Sequence, residues 1–437
     1  MLLFALFGLA GTSWMSRLPS IREALGVSSG GLGLIIIVGG VGALLSVLST
    51  GAVVSRFGSR NTLVAATAIN VISLLGIAAG TGLANVQLFA ISAFVHGVSG
   101  ALMNVPINLN GAIVEQKLGK TILPHFHAGF SIGAAIGALI GAGFSLIDFS
   151  IVWQIVIIAV VVAAARVVLI APATVFAPAH AEAAQRVISA VVPDASDDSA
   201  VLPTPSVPTP SVPTPSVPAQ SRRRAALRAA LAAWKEPRTI LIGLILLASS
   251  LSEGAAGTWL TIAVVDGFAV QEALGAASYA IFVTAMTVFR FLGTGLIDRF
   301  GRVAVLRVSA LATIAGLLIF AFAPGLIFAW IGVALWGCGA ALANPIAISA
   351  ASDDPQRAAA RVSVVTSFIS FSSLTAPPLL GLLIDEVGGR HALLVICVAA
   401  LLSLSLAAQV RRLPVEDKAP GPESATDAGP GQLSERV

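Results

Sequence analysis

One carboxylate, Glu253, stands fourteen residues into an apolar run that begins at 239, about 21 Å along a helix that rises 1.5 Å per residue. Ser249 and Gly257, one turn to either side, share its face, with Ser252 adjacent. An ionisable group inside a bilayer costs about 2.5–3.5 kcal/mol on insertion scales, so each one calls for a reason. A carboxylate desolvated at that depth can take up and release protons near neutrality, as a proton-coupled carrier requires. The plainer alternative is a structural Glu bonded to a neighbouring helix or facing the outer vestibule.

Other polar groups fall in comparable runs. His96, Gly100, Asn104 and Asn108 recur at spacing four and form one helical stripe. Asn offers a donor and an acceptor to a polar solute. Asn104 and its later echo Asn344 each stand near a proline (Pro106, Pro345), so a role in satisfying exposed backbone is an equal alternative. His96 and His127, the latter one turn before Ser131, are candidates for a proton or substrate role or for hydrogen-bonded core positions. Arg290 lies roughly 10 Å from one helix end and about 10 Å in depth from Glu253. That separation predicts snorkelling toward Asp298 rather than a direct pair, with a coupling role as the alternative. Ser363, Ser367 and Ser370 precede Pro377-Pro378, giving a hydroxyl-bearing helix with a break. Charges at the loop ends suggest a gate: Glu115 with Arg56 and Arg60, then Asp353 and Asp354 with Asp298, Arg299 and Arg302; loop solubility together with the inward charge bias is the alternative.

Those residues need a membrane to position them. Of 437 residues 57% are apolar and 11% charged, with a mean hydropathy of +0.94. A soluble chain of this length carries about 25% charge. Twelve spans are expected at 1–18, 30–54, 62–82, 87–111, 125–146, 151–171, 239–262, 274–297, 304–323, 326–350, 362–384 and 391–410. The first, apolar from Met1 to Ala10 but without a basic leader, reads as an uncleaved span. With both termini cytoplasmic, 20 of the 25 Lys and Arg face inward. Arg17, Arg22 and Arg390 stay outside, while Arg166 and Arg290 fall within spans. That charge sidedness also argues against nucleic acid as the reason for the basic pI.

The chain echoes itself about 240 residues on. Gly100-Ala101-Leu102-Met103-Asn104 returns as Ala340-Ala341-Leu342-Ala343-Asn344, and Arg56-Phe57-Gly58 as Arg299-Phe300-Gly301. Gly137 to Gly141 is matched by Pro377 to Gly381, and Thr12-Ser13-Trp14 by Gly257-Thr258-Trp259. Six helices per copy predict two parallel, pseudo-symmetric bundles, 1–171 and 239–410, with the substrate site between them. Residues 172–238 form a Pro-rich cytoplasmic linker with Pro-Thr-Pro-Ser-Val recurring at 203, 208 and 213. A basic amphipathic segment, Ser221 to Arg228, follows and suits the anionic leaflet. The tail, 411–437, is polar and expected to be disordered.

Gly51-x-x-x-Ser55-Arg56-Phe57-Gly58-Ser59-Arg60, with the fuller second copy Asp298-Arg299-Phe300-Gly301-Arg302, resembles the loop signature of the major facilitator superfamily. More narrowly, the chain resembles the MosC/YbjJ-like subgroup. Ser16-Arg17-Leu18-Pro19-Ser20-Ile21-Arg22, Val114-Glu115 through Lys120-Thr121-Ile122-Leu123-Pro124 to His127, and Ser252-Glu253-Gly254 with Trp259 carry that likeness. Ser349 to Asp353 and Arg361 to Val365 complete it. The resemblance implies an all-α, twelve-helix secondary carrier in the bacterial inner membrane, acting as a monomer, and hints at a sugar- or polyol-like solute.

No GxxxxGK[ST] phosphate loop is present. Cys338 and Cys397 lack the spacing of a metal or disulfide site. No enzyme, metal or cofactor is therefore expected, and a proton gradient is the simplest energy source. The rival readings are an exporter of amphipathic compounds, favoured by Gly129, Gly133, Gly137 and Gly141 in the fifth span, and a transport-inactive sensor signalling through 172–238.

Overall fold

The computed structural model describes residues 1–118, 122–176, 231–354 and 357–412. Every regular element among them is helical. The Pro-Thr-Pro-Ser-Val repeats, the basic segment at 221–228 and nearly all of the tail lie outside the described residues.

The N-terminal set comprises α1 (Leu2–Met15), α2 (Leu18–Leu25), α3 (Ser29–Gly82), α4 (Val86–Leu118), α5 (Leu123–Leu146) and α6 (Ile151–Ala173). The C-terminal set comprises α7 (Pro237–Phe268), α8 (Glu272–Phe322), α9 (Leu326–Ala340), α10 (Ala343–Ala351), α11 (Ala358–Val387), α12 (Gly389–Ala392) and α13 (Val395–Leu406). Ten helical stretches are long and apolar enough to cross a membrane, and Leu2–Met15 is a shorter apolar helix. Since one of the ten, Ser29–Gly82, bends at Gly58, this is consistent with the twelve spans expected. Large apolar side chains such as Leu48, Val168 and Ile327 are exposed, where lipid tails rather than water would cover them.

The two expected breaks fall at kinks, where a single non-helical glycine joins two helical arms within α3 and within α8. Gly58 in α3 has φ 79°, ψ 160°, and Gly301 in α8 has φ 78°, ψ 158°. Only glycine adopts this region without strain. Each is preceded by an Arg–Phe contact, Arg56 on Phe57 at 5.5 Å and Arg299 on Phe300 at 5.3 Å. The sequence echo is thus an echo of backbone shape.

α2 is a short helix linking the first two long elements. Pro19 sits at its start, Gly26 caps its end at φ 64°, and Leu18, Ile21 and Leu25 bury one face. The glycine stripe of α5 packs on α1. A Cβ at Gly133 would stand 1.9 Å from Ala5 O, and one at Gly137 2.8 Å from Leu9 O, so backbone approach demands small residues there. The two helix sets meet where α3 packs on α11 and where α5 packs on α8. Gly33 and Gly381 permit the first seam, against Pro377 O and Ser29 O.

Candidate functional site

Glu253 and Arg290 are paired: Arg290 Nη2 donates to Glu253 Oε2 at 2.9 Å. This corrects the expectation that depth separates them. The estimate treated α7 and α8 as upright rods and neglected the reach of a guanidinium on its long stem. The anchor for Arg290 comes from a proline. Pro345 has no N–H to give Ala341 O, four residues earlier, and the helix parts between α9 and α10 at that point. Arg290 Nε donates to this orphaned carbonyl at 3.1 Å. One oxygen of Glu253 is thereby fixed, while Oε1 is buried with no hydrogen-bond partner among the described residues. An unpaired buried carboxylate oxygen calls for an explanation, and a proton or a solute hydroxyl would satisfy it. Across the seam, His127 of α5 is close enough to Arg290 for their charges to interact, and its ring lies edge-on to Phe4 at 5.5 Å.

Other candidates separate into lining and core. Asn104 is exposed and accepts from Asn108 Nδ2, one helical turn on, at 2.8 Å. Asn108 Nδ2 also reaches Asn104 O at 2.9 Å, so the pair serves the backbone as well. Ser249 is buried and lines a cavity of about 20 Å³ with Ser252, Thr313 and Ser403, inside the C-terminal set. Trp259 is fully buried against Gly381. Ser367 Oγ bonds its own helix at Val364 O, 2.6 Å away. His96 is drawn into a network: Asn70 Nδ2 lies 3.3 Å from its Nδ1, and Arg166 Nη1 donates to Asn70 Oδ1 at 2.8 Å.

The expected gate pairs resolve unevenly. Arg302 Nη1 binds Asp353 Oδ1 at 2.6 Å, and Arg238 Nη2 binds Asp353 Oδ2 at 3.0 Å. Arg361 bridges Glu236 at 2.6 Å and Asp354 at 3.4 Å. Burial pushes the Glu236 carboxyl up, but hydrogen bonds from Arg361 and Thr239 and the charges of Arg361 and Arg357 outweigh it and hold the carboxyl below its ordinary range. Glu115 Oε2 accepts from Ile122 N at 2.7 Å. Arg56 and Arg299 rest on their phenylalanines, and Arg60 and Asp298 are exposed. At this end of the molecule, the ion pairs among the described residues stay within the C-terminal set.

At the opposite end, ion pairs among the described residues join the two sets. Arg17 Nε binds Glu272. Its Nη1 reaches Gln154 Oε1 at 3.0 Å, and Ser20 N donates to Glu272 Oε1 at 2.8 Å. Arg22 grips Asp266 in bidentate fashion at 2.7 and 2.8 Å. Asp385 accepts from Ser29 N at 2.9 Å and Gly30 N at 2.8 Å, capping the start of α3. Three carboxylates of the C-terminal set thus clamp the α1–α2–α3 connector. Sequence reasoning named charges at the other end and did not name these pairs, although a signal existed. Arg17, Arg22 and Arg390 are the three basic residues that defy the charge bias, and each is committed to a partner. Arg390 Nη2 bonds Ala321 O at 2.9 Å and Ala323 O at 2.6 Å, and its guanidinium lies on Phe268 at 4.2 Å.

Bent helices in two sets and an intramembrane ion pair accord with a family-level match: residues 1–373 match the model of the Major Facilitator Superfamily. The chain belongs to the Major Facilitator Superfamily. It is a multi-pass membrane transporter and not an enzyme. The transporter is 26% identical to the transporter y4wD of Sinorhizobium fredii, over 92% of its own length and 95% of that protein's. It is 25% identical to the membrane protein MosC of Rhizobium meliloti over 40% of its length and 44% of MosC, in line with the subgroup resemblance. Among solved structures it matches the nucleoside transporter NupG with a TM-score of 0.70 at 15% identity, covering 93% of this chain and 98% of that one. It matches the D-xylose-proton symporter at 0.61 and 14% identity, covering 94% and 96%. Likeness at these identities establishes the fold.

Proposed function

We propose that the chain is a proton-coupled secondary carrier of a small polar solute, sugar- or polyol-like in its hydroxyls, working by alternating access in the bacterial inner membrane. The observation that carries this reading is Glu253, with Oε2 held by Arg290 and Oε1 buried and unpartnered among the described residues. Protonation of Glu253 removes its charge from the Arg290 pair, and a pair that changes with proton occupancy ties the helix arrangement to the gradient. Fold neighbours that carry nucleosides and couple D-xylose to protons lend support to a hydroxylated solute and a proton.

The clamp supports alternating access. With both termini cytoplasmic, as the charge bias favours, the Arg17 end is the outer side. There the sets are tied together, as in a carrier closed to the outside. The α5 glycines that suggested an exporter lie against α1, a contact compatible with either direction of transport.

The test is solute uptake into proteoliposomes with and without an imposed pH gradient, over sugars, polyols and nucleosides. Glu253→Gln is expected to abolish gradient-driven uptake while sparing counterflow exchange. Equal loss of both would sink the proton role. A ligand that binds without any flux would favour the transport-inactive sensor.

A further inference from the structure

Many helical hydroxyls of this chain bond back to their own backbone. Thr62 donates to Gly58 O, Thr67 to Leu63 O and Thr287 to Val283 O, at 2.7–2.8 Å. Ser249 of α7 and Ser403 of α13 do not. Each Oγ is buried with no hydrogen-bond partner among the described residues. Both line the cavity of about 20 Å³ inside the C-terminal set.

Two further hydroxyls stand in the same wall. Ser252 Oγ accepts from the buried Trp336 Nε1 at 2.8 Å, which leaves its own hydrogen to give. Thr313 of α8 reaches the wall beside Gly339, where a Cβ would stand 2.4 Å from Thr313 Oγ1, so a glycine is needed to leave that hydroxyl room. The rest of the lining is apolar or glycine, every lining residue is buried, and none is charged.

Size and chemistry together select the occupant. One water needs roughly 10–15 Å³ and two to four polar partners. The cavity has that volume and offers four hydroxyls, each able to donate or accept. It is too small for a sugar or polyol. A cation would lose its hydration with no carboxylate in return, since Glu253, beside Ser252 in the chain, is turned to Arg290.

We infer that this cavity is an internal hydration site, in which one water molecule held by Ser249, Ser252, Thr313 and Ser403 joins α7 to α8 and α13. The turn of α7 that precedes Glu253 is thereby braced from behind through a water. Ser249 belongs to the interior of the C-terminal set and not to the solute path. The site needs neither solute nor gradient, so it stands or falls apart from the carrier reading above.

The experiment is a structure of the full chain at a resolution that shows ordered water, together with thermal denaturation of variants in detergent. One solvent peak is expected within hydrogen-bond distance of both Ser249 Oγ and Ser403 Oγ. Ser403→Ala removes a partner of the water, and Ser249→Val expels it and strands the remaining hydroxyls. Each is expected to lower the melting temperature by about 1–3 °C. In a dry cavity both changes would delete an unpaired hydroxyl, the second would also fill space, and melting temperatures would hold or rise. A cavity without solvent density, hydroxyls turned to their own helix carbonyls, or a higher melting temperature in Ser249→Val would overturn the inference. Stabilisation of wild type by sodium chloride over choline chloride, lost in Ser249→Val, would replace the water with a cation and overturn it too.

Discussion

Arg17 of the α1–α2 turn and Glu272 of the first turn of α8 are 255 residues apart in sequence and form an ion pair between the two helix sets. Both side chains are nearly sealed, at 7% and 10% exposure. Losing one partner of such a buried pair costs about 3–5 kcal/mol, because the other charge is stranded. Glu272→Gln should therefore shift the carrier away from the state closed at this end. With Cys338 and Cys397 replaced, a cysteine at Ser145 should label at least tenfold faster with an impermeant thiol reagent. The swap Arg17→Glu with Glu272→Arg should restore slow labelling, and an unchanged rate in Glu272→Gln would show that the pair closes nothing.

Arg290 depends on Pro345. In Pro345→Ala the new N–H competes for Ala341 O and leaves Arg290 Nε without its acceptor. Driven uptake should fall severalfold with no loss of melting temperature, since Pro345 stands in the first turn of α10, where alanine is at least as well tolerated as proline. A fall in melting temperature with normal uptake would indicate a purely structural proline.

Stability at the α5–α1 contact should depend on size at one glycine and not at another. Gly133→Val drives side-chain atoms into the Ala5 backbone and should cost about 1–3 kcal/mol, as overpacking does. A Cβ at Gly143 meets nothing within 4 Å, so Gly143→Ala should melt with wild type. Thermal denaturation in detergent compares the two directly.

Glu236 links stability to pH. Its carboxyl titrates lower in the folded protein than in the unfolded chain. Its contribution is therefore complete above the unfolded value, about 4.3 for a glutamate, and disappears as pH falls through the lower folded value. The melting temperature of wild type should exceed that of Glu236→Gln at about pH 6–7, and the gap should close toward about pH 3. A gap that widens on acidification would reverse the sign.

What the sequence made legible was local. Hydropathy located the spans, and the recurrence of Arg56-Phe57-Gly58 at Arg299-Phe300-Gly301 marked two bends of nearly identical backbone angles. The Asn104–Asn108 stripe needed only the helical period. Contacts between elements were not legible in the same way. Whether Arg290 meets Glu253 depends on helix tilt and on a carbonyl freed by Pro345, neither of which has a periodic signature. The Arg17–Glu272 clamp depends on how two helix sets dock. It left only an indirect trace, in basic residues on the side where charge bias predicts few.

Helix α3 is held at both arms by different parts of the molecule. Asp385 of the C-terminal set caps it at Ser29 and Gly30, while Arg166 of its own set holds it at Asn70. Gly58 lies between, in a backbone conformation no other residue shares without strain. If the clamp releases the first arm while the second stays anchored, the difference in rotation collects at this one residue. Gly58 then acts as the torsional joint of the helix, and any side chain placed there would stiffen the passage from clamp to solute path.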